Sequence, residues 1–407
     1  MELLIDPITF LVELLTNQLL VWGLSAELIA FIIRLLGAAI LPAGAMFFCL
    51  FLIWVERKLL ARVQDRIGPN RLGPWGIFQT VADMAKIFIK EHVNPTGFDP
   101  VTFNLAPVLS VASVLLVWAV LPFTITFVGV DLNVGLLYVI GVGGFGIIGE
   151  IMAGWGSNNK YALISTYRAV AILISFEVPM ILILIIPVML SGSMSLPAIV
   201  QAQDVWFIIQ MPVAALVFFI TSIAEMARSP FDLLEAESEL VSGFNIEYSG
   251  LKFGMFYVAD FLRAFTFALL FSTVFLGGWR GPFADQIPII GFVYLGLKTS
   301  VVYFLGILIR GSMPRFRIDQ MLNLNWKVFT PLSLALVIGV ALVNKLFPQA
   351  NDFGMTALKI AVFISMNVVL LLITNWIIGK RTNKDPIPVV VKENRTAVNY
   401  SFKDVSS

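Results

Sequence analysis

The sequence has few charged residues, one cysteine and one histidine, and each shortage excludes a class of protein. Charged residues make up 13% of the 407 residues, whereas 58% are hydrophobic; soluble domains carry about 25% charged residues. A soluble protein of this size would leave much of that apolar surface exposed. The composition, with a mean hydropathy of +0.90, therefore excludes a soluble enzyme and predicts a polytopic membrane protein. The net charge of +1 argues against a nucleic-acid partner.

Residues that bind metals or perform redox chemistry are also scarce. Cys49 is the only cysteine, which excludes an intrachain disulfide and a cluster of several thiolates. His92 is the only histidine, which leaves no histidine metal site. We therefore expect this chain to bind no metal and no cofactor, so any redox group must be held by partner chains.

Long apolar segments are abundant. A helix needs about 20 mostly apolar residues to cross a bilayer with its backbone polar groups paired. Nine segments qualify: 29–54, 103–127, 132–155, 161–190, 205–227, 252–279, 287–309, 328–345 and 356–378. The sequence predicts an all-α fold, a polytopic membrane helix bundle of about nine transmembrane helices over residues 29–378. We expect residues 1–28 to form an N-terminal surface or interfacial segment and residues 379–407 a cytoplasmic polar tail.

The distribution of lysine and arginine between these segments predicts the orientation. These residues accumulate in the cytoplasmic loops of membrane proteins. Alternate gaps, beginning after the first segment, hold seven, one, one, four and six of them, whereas the other gaps hold only Arg280. This alternation places the N-terminus outside and the C-terminus in the cytoplasm.

One cytoplasmic gap, residues 73–91, has the pattern of an amphipathic helix. Apolar residues recur there at helical spacing, namely Ile77, Val81, Met84, Ile87 and Phe88. The sequence predicts a helix that either lies at the membrane interface or packs on loops of its own protein.

The residues from Gly141 to Gly146 match the GxGxxG pattern of a dinucleotide-binding loop, but the flanking structure that such a loop requires is not predicted. No strand precedes the motif, and it lies within an apolar segment. Small residues in membrane helices allow close helix packing, which is the role we predict here.

Ionisable residues inside the apolar segments are the main functional signal. Each costs about 2.5–3.5 kcal/mol on insertion scales and by default marks a path for ions or protons. The residues are Glu150, Arg168, Glu177, Glu225, Asp260, Arg263 and Lys298. The alternative is that they form buried pairs that only fix helix packing. Seven such groups in five segments favour a conducting role.

The segment 225–250 contains six acids and Arg228. Pro230 interrupts its helical spacing, so we expect a broken helix or a folded loop. A solvated acidic loop is the alternative, but the many apolar residues among the acids favour packing against protein.

Several blocks of the sequence resemble one family. ERKLLARVQDRIGPNRLGP (56–74) and EMARSPFDLLEAESELVSGFNIEYSG (225–250) resemble signatures of the quinone-chamber membrane subunit of respiratory complex I, which is the H subunit of bacterial NADH–quinone oxidoreductase and subunit 1 in mitochondria. Residues 154–179 and 314–331 agree, and the resemblance covers about residues 25–347. It implies a subunit that forms the quinone tunnel and couples quinone reduction to proton translocation.

The resemblance also implies roles for individual residues. It implies a quinone chamber lined by Arg57, Arg66, Asp83, Lys86, Arg228, Phe231, Asp232, Glu235 and Glu237. Together with the charges in the segments, it implies a proton or coupling path formed by Glu150, Arg168, Glu177, Glu225, Asp260, Lys298 and Arg310. Asp260 stands where the family often has glutamate, so its carboxylate reaches less far.

The partners follow from the same resemblance. It implies quinone as the substrate, with NADH, flavin and iron–sulfur clusters in partner subunits and no catalysis by the isolated chain. It also implies contacts with the other membrane and peripheral-arm subunits and with lipid, in an energy-conserving membrane that we expect to be the bacterial inner membrane. The ninth segment exceeds the eight-span pattern of the mitochondrial form, and docking to another membrane subunit or to lipid are its two candidate roles.

Two alternatives remain open at this point. The first is a related membrane subunit of an energy-converting hydrogenase-type complex, which would act by a similar mechanism. The SELVSGFNIEYSG run favours the quinone-linked enzyme. A stand-alone secondary transporter would show two matching inverted halves, and the sequence has no such repeat.

Overall fold

The computed structural model describes residues 7–233, 243–347 and 353–382, and these residues form helices and connecting loops without strands. The predicted all-α fold class is therefore confirmed. In chain order the helices are α1 (Pro7–Val21), α2 (Ala26–Val63), α3 (Gln79–Ile89), α4 (Pro100–Trp118), α5 (Gly135–Gly156), α6 (Lys160–Ser191), α7 (Leu196–Gln201), α8 (Phe207–Gln210), α9 (Pro212–Glu225), α10 (Gly250–Phe275), α11 (Pro288–Ser312), α12 (Ile318–Leu324), α13 (Thr330–Leu346) and α14 (Phe353–Thr382).

Eight helical runs in the described ranges are long and apolar enough to cross a membrane. They are α2, α4, α5, α6, α10, α11, the joined α12–α13 run and α14. The fifth predicted segment, 205–227, is the one that does not form a single long helix, because it is broken into the short helices α8 and α9. Met211 leaves the helical conformation (φ −132°, ψ 63°), and Pro212 has no N–H with which to continue the backbone ladder.

The predicted segment 103–127 extends beyond its helix, because α4 ends at Trp118. The chain then turns back on itself, with the Val130 N–H donating to the Ala119 carbonyl at 2.8 Å and the Phe123 N–H to the Phe127 carbonyl at 3.0 Å. These bonds replace the helical ladder after the last turn of α4.

α6 and α10 occupy the centre of the bundle, and α14 lies at its edge. In the apolar windows of these helices, 56%, 72% and 11% of the residues are buried, respectively. The closest helix pair is α4–α5, because Gly149 lets the backbones meet: a Cβ there would lie 3.1 Å from the Ala106 carbonyl oxygen. The buried positions of α6 include Ile172, Phe176 and Ile183.

The predicted amphipathic helix is present as α3, preceded by one 3₁₀ turn at Pro74–Gly76. One side of α3 packs on α10, where a Cβ at Gly254 would lie 2.9 Å from the Ile87 side chain. The other side exposes Val81 and Phe88. The helix therefore combines packing on its own protein with an exposed apolar face of the kind found at membrane interfaces.

Candidate functional site

The centre of the site is Glu56, near the C-terminal end of α2, whose residue is 1% exposed. Its Oε1 accepts hydrogen bonds from the guanidinium groups of Arg228 and Arg310. Its Oε2 accepts one from the Tyr303 hydroxyl at 3.0 Å. Arg228 follows α9, and the other two partners lie on α11. The Glu56 carboxylate therefore connects α2 to α11 and to the segment after α9.

The Arg228 side chain is held from two sides. Its guanidinium carbon lies 5.0 Å from the centre of the Phe261 ring, a cation–π distance. Burial acts to lower the pKa of Arg228, but Glu56, together with Tyr303 and Asp260, raises this pKa above its ordinary value. Arg228 is therefore a permanent cation in the wall of the site.

A second buried ion pair joins α5 to α10. Arg263 Nη1 donates to Glu150 Oε1 at 3.0 Å, and the two side chains are 12% and 3% exposed. Asp260 lies one helical turn before Arg263. In the described part of the chain, Glu150 Oε2 and Arg263 Nη2 are buried without a hydrogen-bond partner. Glu150 thus keeps one oxygen that can accept a hydrogen bond or a proton, and Arg263 keeps one nitrogen that can donate to water.

These groups line a cavity of about 60 Å³, which we call the charged cavity. Its ionisable lining residues are Glu150, Arg228, Asp232, Asp260, Arg263 and Arg310. About 10–15 Å³ of such space holds one water molecule, so the charged cavity has room for several.

A second cavity of about 60 Å³, the inner cavity, lies next to it. Glu177 of α6, Glu225 at the end of α9 and Arg263 are its ionisable lining residues, and the rest of its wall is mainly apolar. Glu225 is 7% exposed, and its Oε2 has no partner among the described residues. Arg263 lines both cavities, so its side chain forms the junction between their walls.

The glycine motif within α5 contributes to this junction. A Cβ at Gly146 would lie 2.7 Å from Arg263 Nη2, so the absence of a side chain makes room for the guanidinium group. At Gly141 and Gly143 a Cβ would meet nothing within 4 Å. The predicted role in close helix packing therefore does not hold for the whole motif, which instead accommodates an arginine at its last position.

The first part of the acidic segment is folded against the bundle. Phe231 is 3% exposed and packs on the rings of Phe176 and Phe316, with ring centres 5.4 and 5.7 Å away. Asp232 is half-exposed and accepts a hydrogen bond from Arg315 at 3.2 Å. These contacts agree with the expected packing against protein.

Arg168 of α6 contacts the same segment. Its Nη2 donates to the Leu233 carbonyl at 2.5 Å, which places Arg168 under the folded loop. Glu235 and Glu237, predicted to line the chamber, lie outside the described residues.

The remaining chamber predictions lie at the exposed end of α2 and on α3. Arg57 and Asp83 form an ion pair of 2.5 Å between these helices, and their side chains are 47% and 27% exposed. Lys86 is exposed on α3, and Arg66 is exposed in the loop after α2, where it donates to Gln64 Oε1 at 2.9 Å. The structure brings Arg57 and Asp83 together but not Arg66 and Lys86.

Lys298 lies apart from the other members of the predicted path. Its Nζ donates to the carbonyl oxygens of Gly278 and Arg280, both at 2.9 Å, and lies 5.1 Å from the centre of the Trp206 ring. These contacts hold the loop between α10 and α11, and Lys298 lines neither cavity. Its role in a coupling path stays a prediction.

Glu56 is the functional residue that sequence reasoning missed. It begins the ERK run at the end of a membrane segment, where a charged side chain is expected to reach water. Its partners Arg228 and Arg310 are 172 and 254 positions away. The only local signal was an acid beside two bases at a helix end.

The described residues offer no metal centre. No group of three or more histidine, cysteine, aspartate or glutamate side chains in these ranges could hold a metal ion, and Cys49 is buried. The site can instead hold water and move protons between carboxylates that lie beside fixed arginines.

Comparisons with known proteins agree on one family. The sequence model of the family "NADH dehydrogenase" matches residues 36–341. A protein from Dehalococcoides mccartyi is 40% identical over 340 residues, covering 84% of this chain and 93% of that protein. A protein from a Geobacillus species is 46% identical over 315 residues, covering 77% and 94%. One from Anoxybacillus flavithermus is 47% identical over 298 residues, covering 72% and 89%. All three are named as the H subunit of NADH-quinone oxidoreductase.

Proposed function

The chain belongs to the NADH dehydrogenase family, and on that premise we propose that it forms the quinone tunnel of NADH-quinone oxidoreductase and couples quinone reduction to proton translocation. The family match confirms the resemblance that the sequence blocks indicated. The chain is therefore an integral membrane subunit of an oxidoreductase complex. The names of the relatives favour the quinone-linked complex over a hydrogenase-type complex.

The observation that carries the proposal is the row of charged groups along two adjoining cavities. Glu56 holds Arg228 at one end of the charged cavity, and Arg263 connects that cavity to the inner cavity with Glu225. Ionisable groups are costly inside a membrane protein and are rarely placed there without a function. Pairing alone does not account for this row, because Glu225 forms no ion pair among the described residues and only one oxygen of Glu150 is bonded.

The proton steps follow from the atoms that lack partners. When quinone is reduced near the charged cavity, two electrons arrive from a partner subunit and two protons must reach the quinone oxygens. Glu150 and Glu225 can each gain or release a proton at Oε2 without breaking a hydrogen bond in the described structure. Arg263 lies between the two cavities, so a change in charge in one cavity alters the proton affinity of the carboxylates in the other.

The quinone path is supported by the exposed end of α2 and by α3. The apolar face of α3 offers a quinone tail a route from the lipid, and the Arg57–Asp83 pair holds α3 to α2 beside that route. In this proposal, the amphipathic helix and the folded acidic loop face the cytoplasm, where the peripheral subunits attach. The N-terminus lies outside, in agreement with the distribution of lysine and arginine.

The redox groups belong to partner subunits in this proposal. NADH, flavin and iron–sulfur clusters need nucleotide-binding folds or several thiolates, and the sequence has a single cysteine. This chain contributes the walls of the quinone chamber, its fixed charges and the proton path.

The test is the pair of substitutions Glu225→Gln and Glu177→Gln in the assembled complex. Each variant keeps the size of the side chain and removes the proton site, so we expect quinone-coupled proton translocation to fall about a hundredfold or more, in the range of a lost general acid or base. The matched control is Asp204→Asn, because the Asp204 side chain is 85% exposed and lines neither cavity. Control-like rates and proton yields in both variants would favour the alternative that these charges only fix helix packing.

A further inference from the structure

The helix α14 lies beyond the part of the chain that the family model matches, which ends at residue 341 within α13. Among the described elements, α14 packs on α13, α8 and α9. It has an apolar run of 23 residues, long enough to cross a membrane, but only 11% of the most apolar part of this run is buried. The helix is therefore an addition to the edge of the bundle that touches it along one narrow stripe.

That stripe is closely fitted to the helices beneath it. Phe363 and Asn367, one turn apart, are 0% and 1% exposed. At the crossing with α13, a Cβ on Gly339 would lie only 2.4 Å from the Met366 sulfur. Close approach through a small residue is a usual way for helices to associate in membranes, where apolar burial alone provides little driving force.

Beneath α14 lies the break between α8 and α9. Because Met211 is not helical and Pro212 has no N–H, the carbonyl groups at the end of α8 lack the partners that a continuous helix would supply. Non-helical backbone within a membrane is tolerated only where protein or a water-filled cavity covers it. The segment 205–227 has the composition of a membrane span, so its break needs such a cover.

Asn367 supplies a polar contact at this break. Its Nδ2 lies 3.4 Å from the Gln210 carbonyl oxygen and 3.3 Å from the Met211 sulfur, and it also donates to the Phe363 carbonyl of its own helix at 2.8 Å. A buried asparagine in a largely apolar helix is costly unless its amide is bonded; here the Nδ2 group is bonded, whereas Oδ1 is buried without a partner among the described residues. Its position over the break makes the contact specific to this pairing of helices.

We propose that α14, packed on α8, α9 and α13, serves to shield the break at Met211 from lipid. The amide-to-carbonyl contact and the glycine–methionine crossing recognise α14 there. The outer face of α14 stays exposed, so the predicted docking to another membrane subunit or to lipid stays a prediction for that face. This inference is independent of the quinone chemistry.

The experiment uses the complete complex with a protease cleavage site inserted between residues 347 and 353 and a tag at the C-terminus. After purification the connection is cut, the complex is washed in mild detergent, and the retained C-terminal piece is measured. We expect the cut helix to remain bound in the native background. Asn367→Leu and Gly339→Leu should each lower its retention roughly threefold to tenfold, the effect of losing one polar or packing contact between membrane helices.

The control is Gly296→Leu on α11, where an added Cβ meets nothing within 4 Å, and it should retain the helix fully. Shielding is read separately with a lipophilic carbene photolabel, which inserts into lipid-exposed side chains and should modify Met211 several-fold more once α14 has left. The proposal is overturned if the cut helix is lost from the native background, or if Asn367→Leu and Gly339→Leu both retain it as fully as Gly296→Leu does. It is also overturned if labelling at position 211 does not increase after α14 has left.

Discussion

Replacing Glu56 with glutamine tests whether one carboxylate holds the charged cavity together. In the native protein this carboxylate accepts hydrogen bonds from Arg228, Arg310 and Tyr303, and its side chain is 2% exposed. Glutamine keeps the size of the side chain and one acceptor oxygen but loses the negative charge. Two guanidinium groups are then left beside each other without their shared counter-charge.

The size of the effect follows from the burial of each partner. Removing one member of a buried ion pair costs about 3–5 kcal/mol, because the other charge is left without compensation. The Arg228 side chain is 13% exposed and belongs to this class, whereas the Arg310 side chain is 36% exposed, so hydration limits its share to about 1 kcal/mol or less. With the acceptor oxygen retained, we expect a loss of about 3 kcal/mol.

The assay is thermal inactivation of the purified complex, followed by quinone reductase activity and by the fraction of this subunit retained. Glu56→Gln should lower the inactivation midpoint by several degrees. Asp204→Asn removes an exposed ion pair with Arg280 and should change it little, since exposed pairs contribute about 0–1 kcal/mol. Adding Arg310→Gln to Glu56→Gln should restore part of the loss by removing one uncompensated cation. Equal midpoints for Glu56→Gln and Asp204→Asn would mean that the Glu56 carboxylate does not stabilise the two arginines.

Three further substitutions test other contacts by the same assay. Gly149→Val places a side chain against the Ala106 carbonyl and should cost about 1–3 kcal/mol by forcing α4 and α5 apart. Trp118→Phe removes a buried 2.7 Å hydrogen bond to Thr266 and should cost about 1 kcal/mol. Burial raises the pKa of Tyr248, so stability should fall as the pH rises above about 10, where an unfolded tyrosine ionises first, and Tyr248→Phe should reduce that dependence.

Each of these predictions has a control and an outcome that contradicts it. Gly144→Val adds a side chain where nothing lies within 4 Å, and similar midpoints for Gly144→Val and Gly149→Val would rule out the steric argument. For tryptophan, a Trp118→Phe midpoint equal to the native one would mean that the indole bond contributes nothing. For tyrosine, an unchanged alkaline profile in Tyr248→Phe would assign the pH dependence to other groups.

The membrane helices could be predicted from sequence because their signal is local. Long apolar runs and the distribution of lysine and arginine need no knowledge of distant contacts, and the described helices lie close to the predicted segments. The break at Met211 was hidden, since Pro212 lies within an uninterrupted apolar run. The end of α4 at Trp118 could not be predicted either, because the hydrogen bond from the Val130 N–H to the Ala119 carbonyl does not change the hydropathy of the segment.

The candidate site was only partly predictable because its contacts are distant in sequence. Charges inside spans identified Glu150, Glu225 and Arg263 as members of one network. Composition could not show that Glu56 binds arginines from two other parts of the chain. Nor could it show that Lys298 lies with carbonyl groups of a connecting loop. Such pairings depend on how the helices are arranged.

The shortness of α9 has an electrical consequence. At about 1.5 Å per residue its 14 residues rise about 21 Å, about 9 Å less than the hydrocarbon core of ~30 Å. A potential of 100 mV is worth about 2.3 kcal/mol per elementary charge over its full drop, or ~0.1 kcal/mol for each ångström of the core. Because α9 covers only part of the core, a proton that leaves Glu225 in the proposed path gains or loses energy with every ångström of displacement, so the membrane potential biases the direction of its transfer.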